Sequence, residues 1–356
     1  MGFHSQEFKR VLVLPKSLLD EIRNIQIFLT GGTGFFGKWF LESILWLNNE
    51  HSLNITATIL TRNPEKFLKS NPKFSNNKSS LKFLKGDVRN FKYPDENYTH
   101  IIHGATTNAE ETFIGQDPLI KFDTIVQGTR HILNLAEKCQ VSRFLYISSG
   151  IAYGKQPSEI SHLKEEYSGG PLTNDTNFDL SVLSEGKRTA ELLTTIYQQK
   201  FGFNACIARC FSFVGPGLPL DIHYAAGNFI RDAINGQSIH IKGDGSPVRS
   251  YMYIADLIKW LWVILFMGKQ GEIYNVGSDE QIMIKDLANI IASFFQPKPK
   301  IKIDHKKINS INNIYVPDIN KAKNELKLQL YTTLNESIYN TILHYCPVKV
   351  SNNLYN

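Results

Sequence analysis

Apolar positions along the chain follow two spacings. Short apolar or β-branched runs, typical of buried strands, alternate with stretches in which apolar residues recur every three or four positions, as on one helix face. The runs predict strands over Ile27–Leu29, Ile55–Thr61, Leu81–Leu84, Thr99–His103, Arg143–Ser148 and Ala205–Arg209. The helical spacing is clearest over Ile120–Lys138 and Leu183–Phe201. Such alternation predicts an α/β fold, a doubly wound parallel sheet of the Rossmann type.

The rhythm loosens after Gly215-Pro216, where shorter strands, turns and helices follow. This second half predicts a smaller C-terminal substrate-binding lobe, because ligands of such sheets bind beyond the carboxyl ends of the strands. The predicted organisation is an N-terminal extension (1–25), a dinucleotide-binding Rossmann domain (26–214, to which 247–277 returns), a mainly substrate-binding lobe (215–346) and a tail (347–356).

One glycine-rich turn, Thr30 to Gly37, lies between the first predicted strand and a helical pattern. Gly31 takes a tight turn without steric cost, Gly34 lets the backbone approach a phosphate, and Gly37 lets helix and strand pack closely. The first N–H groups of the helix would then face a pyrophosphate. The residues predicted to bind the dinucleotide here are Gly31, Thr33, Gly34, Phe35, Phe36 and Gly37.

Composition narrows the function further. The net charge of +6 comes with Lys residues scattered along the chain, which indicates a solvated surface rather than nucleic-acid binding. The four Cys residues show no metal-ligand spacing, so we expect no metal, and buried thiols in the reducing cytoplasm. The start lacks the pattern of a signal peptide, and the most apolar later run, Trp260 to Met267, is too short to cross a membrane.

Several motifs occur together and in order, and through them the chain from about Gln26 to Tyr339 resembles the extended short-chain dehydrogenase/reductase family. The resemblance is to its NAD-dependent epimerase/dehydratase branch, which acts on nucleotide sugars. Beyond the glycine-rich turn, the motifs are Gly86-Asp87-Val88-Arg89, His103-Gly104-Ala105, Gly128-Thr129, Ser148 to Gly154, Gly186-Lys187, Gly215-Pro216, Arg249 before Asp256, and Tyr274-Asn275-Val276-Gly277.

The resemblance implies NAD or NADP as cofactor. Asp87 would accept a hydrogen bond from the adenine amino group, with Val88 beside it, and His103, Gly104 and Ala105 would line the dinucleotide. The second strand ends in Thr61-Arg62, where an acid would bind the ribose 2′-hydroxyl of NAD but Arg suits the 2′-phosphate of NADP. Relatives that hold their cofactor through a whole cycle usually use NAD, so both dinucleotides stay open.

The catalytic set that the resemblance implies is incomplete. Ser149 matches the family Ser or Thr that donates to the reacting sugar oxygen, and Lys187 matches the Lys that lowers the pKa of a catalytic Tyr and holds the nicotinamide ribose. That Tyr should stand at position 183, where this chain has Leu183. Leu has no ionisable proton, and loss of a general base typically costs about 10²- to 10⁴-fold in rate.

Three interpretations of Leu183 remain open. Another base, such as Tyr153 or Ser149, serves the same oxygen; the chain is a weakened variant of an active enzyme; or it binds nucleotide without turnover, as a sensor or scaffold. Gly150-Ile151 replaces the Asp-Glu pair of 4,6-dehydratases, so epimerisation or keto-sugar reduction is favoured over dehydration and decarboxylation. A dehydratase-like lyase with atypical acid and base residues is the alternative.

The substrate, as the resemblance implies it, is a nucleotide sugar. Arg249 would grip its diphosphate and Asn228 would contact the sugar phosphate region. Ile125 stands where the family often has Asn, beside the active-site helix. Family members commonly pair as homodimers through two helices, which here would be Ile120–Lys138 and Leu183–Phe201.

Overall fold

Seven strands form the central sheet of this computed structural model, in the order β11-β6-β5-β4-β1-β2-β3. The structure describes residues 3–106, 117–171, 173, 178–221, 224–304 and 313–347. The strands are β1 (Gln26–Thr30), β2 (Thr56–Thr61), β3 (Leu81–Lys85), β4 (His100–His103), β5 (Arg143–Ser149), β6 (Asn204–Cys210), β7 (Phe213–Val214), β8 (Ile239–Ile241), β9 (Val248–Arg249), β10 (Met252–Tyr253), β11 (Ile273–Val276), β12 (Ile282–Met283), β13 (Ile301–Ile303) and β14 (Ile314–Tyr315).

Helices cover both halves of the chain. They are α1 (Phe3–Val11), α2 (Lys16–Ile22), α3 (Phe35–His51), α4 (Pro64–Ser70), α5 (Pro118–Cys139), α6 (Phe178–Phe201), α7 (Ala225–Ile234), α8 (Ile254–Met267), α9 (Ile284–Ser293), α10 (Asn320–Leu326) and α11 (Leu334–Tyr345). No described helix is long and apolar enough to cross a membrane.

The sheet has the doubly wound topology that the sequence predicts. Every neighbouring pair from β6 to β3 is parallel. The strand order reverses between β1 and β4, which are adjacent although two strands separate them in sequence. Ligands of open α/β sheets bind beyond the carboxyl ends of the strands at such a switch point. That edge is where Thr30, His103 and Ser149 end β1, β4 and β5.

Two compact units divide the chain. The first contains 1–154, 170–210 and 258–274, and the second contains 155–169, 211–257 and 275–356. Of the segment 247–277 that the sequence assigns to the dinucleotide-binding domain, residues 258–274 lie in the first unit, and the domain bounds stay a prediction. Residues 1–25 belong to the first unit, because the Phe8 ring packs edge-on against Trp39 of α3 at 5.5 Å.

The core of the first unit packs helices against the sheet. Helices α5 and α6 cover an apolar cluster that includes Phe28, Ile125 and Tyr146, all with 1 % exposure or less. On another helix, the buried Trp262 stacks on Phe40 at 4.6 Å and donates a hydrogen bond to Ser43. These contacts pack α3, α5 and α6 within the first unit.

The second unit is built from small sheets and helices. Strand β9 pairs with β12 and β14, and β8 pairs with β13. Asn275 is fully buried and donates to the main-chain oxygens of Leu163 and Asp318, while its N–H donates to the Glu165 carboxylate. The Tyr-Asn-Val-Gly motif therefore tethers the 155–169 segment inside this unit.

The helix and strand bounds differ from the predicted ones mainly at their ends. The helix α6 begins at Phe178 rather than at the predicted Leu183, and the N-terminal extension contains the two helices α1 and α2. The pattern missed α4, which begins after Asn63; the Asn63 side chain accepts a hydrogen bond from the Lys66 N–H. The Asn-Pro-Glu sequence there is a capping signal.

Candidate active site

The glycine-rich turn has the close contacts that only glycine permits. Gly31 has φ +76°, and a Cβ there would lie 2.6 Å from the Gly104 carbonyl carbon. A Cβ at Gly37 would lie 2.3 Å from the Gly31 oxygen. Gly34, the N-cap of α3, is exposed and gives the helix no side-chain cap. The helix α3 thus begins without a side-chain cap, and such a helix start is a suitable place for a dinucleotide pyrophosphate.

Other residues that the sequence predicts to bind the dinucleotide lie in or near the glycine-rich turn. Thr33, Phe35 and Phe36 are half-buried, and the rings of Phe35 and Phe36 lie 5.7 Å apart. Val88 is buried and occupies the space that a side chain at Gly128 of α5 would need, with 2.8 Å between Val88 Cγ1 and a Cβ built there. The contact of Val88 in this structure is thus with a helix of the same unit.

His103 is a packed, neutral histidine. It is fully buried, with Nδ1 2.7 Å from Thr30 Oγ1 and Nε2 2.9 Å from Thr129 Oγ1. Thr30 Oγ1 also accepts the Ala105 N–H. Burial lowers the His103 pKa to about 3. This network fixes the ends of β1 and β4 on either side of the switch point, so Gly104 and Ala105 are held against the glycine-rich turn.

Asp87 is bound by its neighbour Arg89. Its carboxylate accepts hydrogen bonds from the Arg89 N–H, Nε and Nη2 at 2.9, 3.0 and 2.9 Å. These bonds, and more weakly the charge of exposed Arg62, hold the pKa of Asp87 below its usual range. The Asp87 carboxylate, which is predicted to contact adenine, is therefore already paired with the Arg89 guanidinium.

Lys187 is held beneath the end of β5. Its amine donates to the Ile147 main-chain oxygen at 2.9 Å and lies 4.9 Å from the centre of the Tyr146 ring. The residue is 4 % exposed, and burial lowers its pKa to about 8. An amine with this pKa is partly unprotonated near neutral pH, which is uncommon for a lysine.

Ser149 ends the same strand and remains half-exposed. Its Oγ accepts a hydrogen bond from the Ile151 N–H at 3.3 Å, at the start of the short 3₁₀ turn Gly150–Tyr153. The hydroxyl hydrogen is then available to donate to a bound oxygen. Ser149 thus lies on the carboxyl edge of the sheet, two residues beyond the main-chain group that fixes Lys187.

Leu183, at the position where the resemblance implies a tyrosine, lies one turn before Lys187 on α6. It is half-buried and packs against the apolar cluster that contains Ile125 of α5. Gly186 also lies against Ile125, since a Cβ there would be 3.1 Å from Ile125 Cδ1. Leu183 and Ile125 therefore belong to one apolar contact region between the two helices.

Tyr153 is buried behind the site. It has no exposed surface, and the Arg209 guanidinium carbon lies 4.3 Å from its ring centre. Arg209 in turn makes two hydrogen bonds to the Glu191 carboxylate, at 3.0 and 2.6 Å, and Ser148 also donates to Glu191. These contacts favour a packing role for Tyr153 over the role of base.

The Glu191–Arg209 pair was missed as a functional element by the sequence reasoning. Both side chains are less than 10 % exposed, and Glu191 raises the pKa of Lys187 against the larger effect of burial. Glu191 stands four residues after Lys187, so both lie on one face of α6. That spacing of a lysine and an acid was the available signal.

In the second unit, Arg249 lies at the end of β9. Its Nη1 donates to the main-chain oxygens of Val248 and Asn313, both at 2.8 Å. No described residue accepts a hydrogen bond from its Nε or Nη2. Burial lowers the pKa of Arg249, against the favourable effect of the nearby Tyr251 and Tyr315 hydroxyls.

Asn228 lies within α7, three positions after the helix begins at Ala225, and Tyr224 is the N-cap. Its side-chain oxygen accepts a hydrogen bond from Arg231 Nη1 at 3.3 Å. Its predicted contact with a sugar phosphate remains a prediction. Across the described residues, no three His, Cys, Asp or Glu side chains are grouped to hold a metal ion.

The parallel sheet, the switch point and the glycine-rich turn define a Rossmann dinucleotide-binding protein. A family model for the NAD dependent epimerase/dehydratase family matches residues 27–277, more than half of the chain. The protein belongs to that family, which confirms the resemblance drawn from its motifs.

Known relatives are diverse. The chain is 28 % identical over 322 residues to UDP-glucuronic acid decarboxylase 1 of Arabidopsis thaliana, covering 89 % of this chain and 68 % of that one. UDP-glucose 4-epimerase of Thermotoga maritima, solved with UDP-glucose, matches at a TM-score of 0.73 and 19 % identity, over 90 % of this chain and 98 % of that one. UDP-glucuronic acid 4-epimerase of Bacillus cereus, solved with NAD, gives a TM-score of 0.73 at 21 % identity and the same coverage.

Proposed function

We propose that the protein is an NAD(P)-dependent enzyme that acts on a nucleotide sugar, as an epimerase or a related oxidoreductase that works at a sugar hydroxyl carbon. The observation that carries the proposal is Lys187, buried beside the end of β5 with a lowered pKa and followed along that strand by Ser149. A sensor or scaffold has no need of such an amine at the carboxyl edge of the sheet. Relatives named as nucleotide-sugar epimerases and a decarboxylase support the substrate class.

The dinucleotide, when bound, supplies the acceptor for a hydride from the sugar carbon. Gly31, Gly34 and the first N–H groups of α3 would hold its pyrophosphate, and Lys187 its nicotinamide end. Ser149 donates a hydrogen bond to the sugar oxygen and holds it at the edge of β5. Oxidation of the carbon to a ketone also requires that the hydroxyl proton leave.

Lys187 is the residue that takes this proton. In its unprotonated form the amine accepts the hydroxyl proton, directly or through Ser149, and becomes an ammonium while the carbon loses its hydride. In the reverse step the hydride returns to the ketone carbon and the proton to its oxygen. The hydride arrives on the same face or on the opposite face of the sugar. Leu183 offers no hydroxyl for this transfer, so the turnover rate is expected to be low.

A second candidate reaction is decarboxylation of a nucleotide-linked uronic acid, which the names of the Arabidopsis relatives favour. Ile151 argues against it, because no acid stands at the position directly after Gly150. A 4,6-dehydratase-like lyase meets the same objection. A binding-only protein remains the alternative from a different class.

The experiment is product analysis by NMR. The purified protein is mixed with NAD or NADP and with UDP-glucose, UDP-galactose, UDP-glucuronic acid and dTDP-glucose in turn. An inverted hexose identifies an epimerase, a pentose with released CO₂ a decarboxylase, and a 4-keto-6-deoxy sugar a dehydratase. No conversion of any sugar by the natural chain or by Leu183→Tyr would contradict the proposed enzyme.

The proposed assembly is a homodimer and the proposed location is the cytoplasm. Apolar side chains remain exposed along α5 and α6, and the four cysteines are free thiols, as expected in a reducing compartment. The exposed apolar side chains on these two helices are Leu119, Ile120, Leu180, Leu192 and Ile196.

A further inference from the structure

Tyr146 is a buried aromatic residue that has no part in the proposed reaction. It lies on β5, directly before Ile147 and three residues before Ser149, and has no exposed surface. The Lys187 amine lies over its ring, 4.9 Å from the ring centre. An ammonium within about 6 Å of a ring centre is attracted by the electron-rich face of the ring. Tyr146 therefore borders the amine on which the proposed proton transfer depends.

Hydrogen bonding alone satisfies the charged form of this amine only in part. An ammonium has three N–H donors. Within the described part of the chain, the Lys187 amine makes one hydrogen bond, to the Ile147 main-chain oxygen at 2.9 Å. The face of the Tyr146 ring is a second group beside it that favours the ammonium over the neutral amine.

The titratable groups that act on Lys187 come from α6, β6 and β4. Burial lowers the pKa of Lys187, whereas Cys210 and Glu191 act in the opposite direction. Burial raises the pKa of Cys210 to about 12, so it is an uncharged thiol near neutral pH. The Glu191 carboxylate accepts two hydrogen bonds from Arg209. His103 is neutral, because burial lowers its pKa to about 3. Of these described groups, none offers Lys187 an unshared negative charge.

The Tyr146 side chain itself is uncharged. Burial and the charge of Glu191 raise its pKa well above the usual value of a tyrosine. Its hydroxyl lies near Thr129 but makes no hydrogen bond of good geometry with a described residue. The part of Tyr146 that acts on Lys187 is thus the ring, and not a phenolate.

We propose that Tyr146 is a positioning residue for Lys187: the face of its ring stabilises the ammonium and so sets how firmly this amine holds its proton. The contact opposes burial, which favours the neutral amine. A desolvated contact of this kind corresponds to about one pKa unit or more. The inference rests on the proposed function where it treats Lys187 as the base, since a base works best when its pKa lies near the working pH.

The test is an NMR titration of Lys187 in the full-length protein, labelled with ¹³C at the lysine Cε atoms. The Lys187 signal is identified by its loss in Lys187→Arg. Tyr146→Phe keeps the ring, and the Lys187 pKa should stay within a few tenths of a unit. Tyr146→Leu removes the ring and should lower that pKa by about one unit. The pH dependence of sugar conversion should move to lower pH by the same amount.

Phe144→Leu is the matched control. Phe144 is also buried and lies two residues before Tyr146, on the same face of β5. Its replacement loses a ring of the same size from the same strand and should leave the Lys187 pKa unchanged.

A second substitution keeps the test valid if Tyr146→Leu does not fold. Tyr146→trifluorophenylalanine retains the shape of the ring but withdraws electron density from its face, which weakens the attraction of a cation. The Lys187 pKa should then be lower than in Tyr146→Phe.

The outcomes separate this inference from the proposed function. Equal Lys187 pKa values with phenylalanine and trifluorophenylalanine at position 146 overturn the inference. So does a higher pKa in Tyr146→Leu, which would mean that the ring only excludes water, or an equal shift in Phe144→Leu. If the Lys187 pKa follows the ring as expected but no sugar is converted, the inference about Tyr146 is supported and the proposed function fails.

Discussion

Lys187 donates a hydrogen bond of 2.9 Å to the main-chain oxygen of Ile147. This bond holds the amine under the strand that ends in Ser149, in surroundings that disfavour its charged form. The carboxylate that raises the pKa of Lys187 is that of Glu191, and its oxygens accept hydrogen bonds from Arg209 and Ser148. A lysine in this setting loses its proton more readily than one paired directly with an acid.

Turnover should rise with pH as Lys187 loses its proton. The Lys187 pKa is lowered to about 8, so the amine is mainly charged below pH 8 and mainly neutral above it. A base must be unprotonated to accept a proton, so the rate should increase through about pH 8 and then level off. The measurement is the initial rate of sugar conversion between pH 6 and 10.

Lys187→Arg is the matched variant for this prediction. Arginine keeps the positive charge but does not deprotonate in this range, so conversion should fall by about 10²-fold or more while dinucleotide binding is retained. A rate that is independent of pH, or an active Lys187→Arg protein, would show that the amine serves only as a charge.

Leu183→Tyr should increase the rate of sugar conversion by about 10²- to 10⁴-fold, the usual contribution of a general base. The new hydroxyl would stand one turn before Lys187, whose charge lowers the pKa of a neighbouring phenol. Product formation is followed by NMR under the conditions used for the natural chain.

Leu183→Phe is the control, because it adds the same ring without the hydroxyl. We expect it to be no more active than the natural protein. If Leu183→Phe gains as much as Leu183→Tyr, the effect comes from packing against the α5–α6 cluster and not from proton transfer.

The fold could be predicted from the sequence because buried strands appear as apolar runs and tight turns require glycine. Gly31 and Gly37 are in contacts that exclude any side chain, and the apolar runs became the strands of a parallel sheet. The N-terminal segment was harder, because its apolar residues meet partners far along the chain. The contact of Phe8 with Trp39 is an example.

The site was predictable only in part. Ser149 and Lys187 are at the carboxyl edge because their motifs fix strand and helix positions. The burial of Tyr153 under Arg209 depends on tertiary packing between β6 and the 3₁₀ turn, which no local spacing records.

Glu191→Gln should lower the free energy of unfolding by about 3–5 kcal/mol, because it leaves Arg209 charged and uncompensated in a buried site. Burial alone would lower the pKa of Arg209, but its hydrogen bonds to Glu191 raise it overall, so it stays charged. Urea unfolding followed by tryptophan fluorescence measures the change.

Glu21→Gln is the comparison variant for that experiment. Glu21 pairs with Arg143 at 3.0 Å but its side chain is 46 % exposed, so its loss should cost roughly 0–1 kcal/mol. A loss in Glu191→Gln no larger than in Glu21→Gln would mean that the buried pair adds nothing beyond a surface ion pair.

The exposed apolar face of α6 predicts a homodimer, and acidic substitutions on that face should dissociate it. Leu192 and Ile196 are 61 % and 45 % exposed and four residues apart, so they lie on one face of the helix. Glu at both positions should convert the dimer to a monomer, because two buried carboxylates without partners cannot be accommodated in an apolar interface. Light scattering after size-exclusion chromatography gives the mass directly.

Met267→Glu, a change of equal kind at a residue 46 % exposed on α8, should leave the dimer intact. A natural chain that elutes as a monomer at micromolar concentration would refute the predicted assembly, whereas a dimer that survives both Glu substitutions would place its interface on another surface.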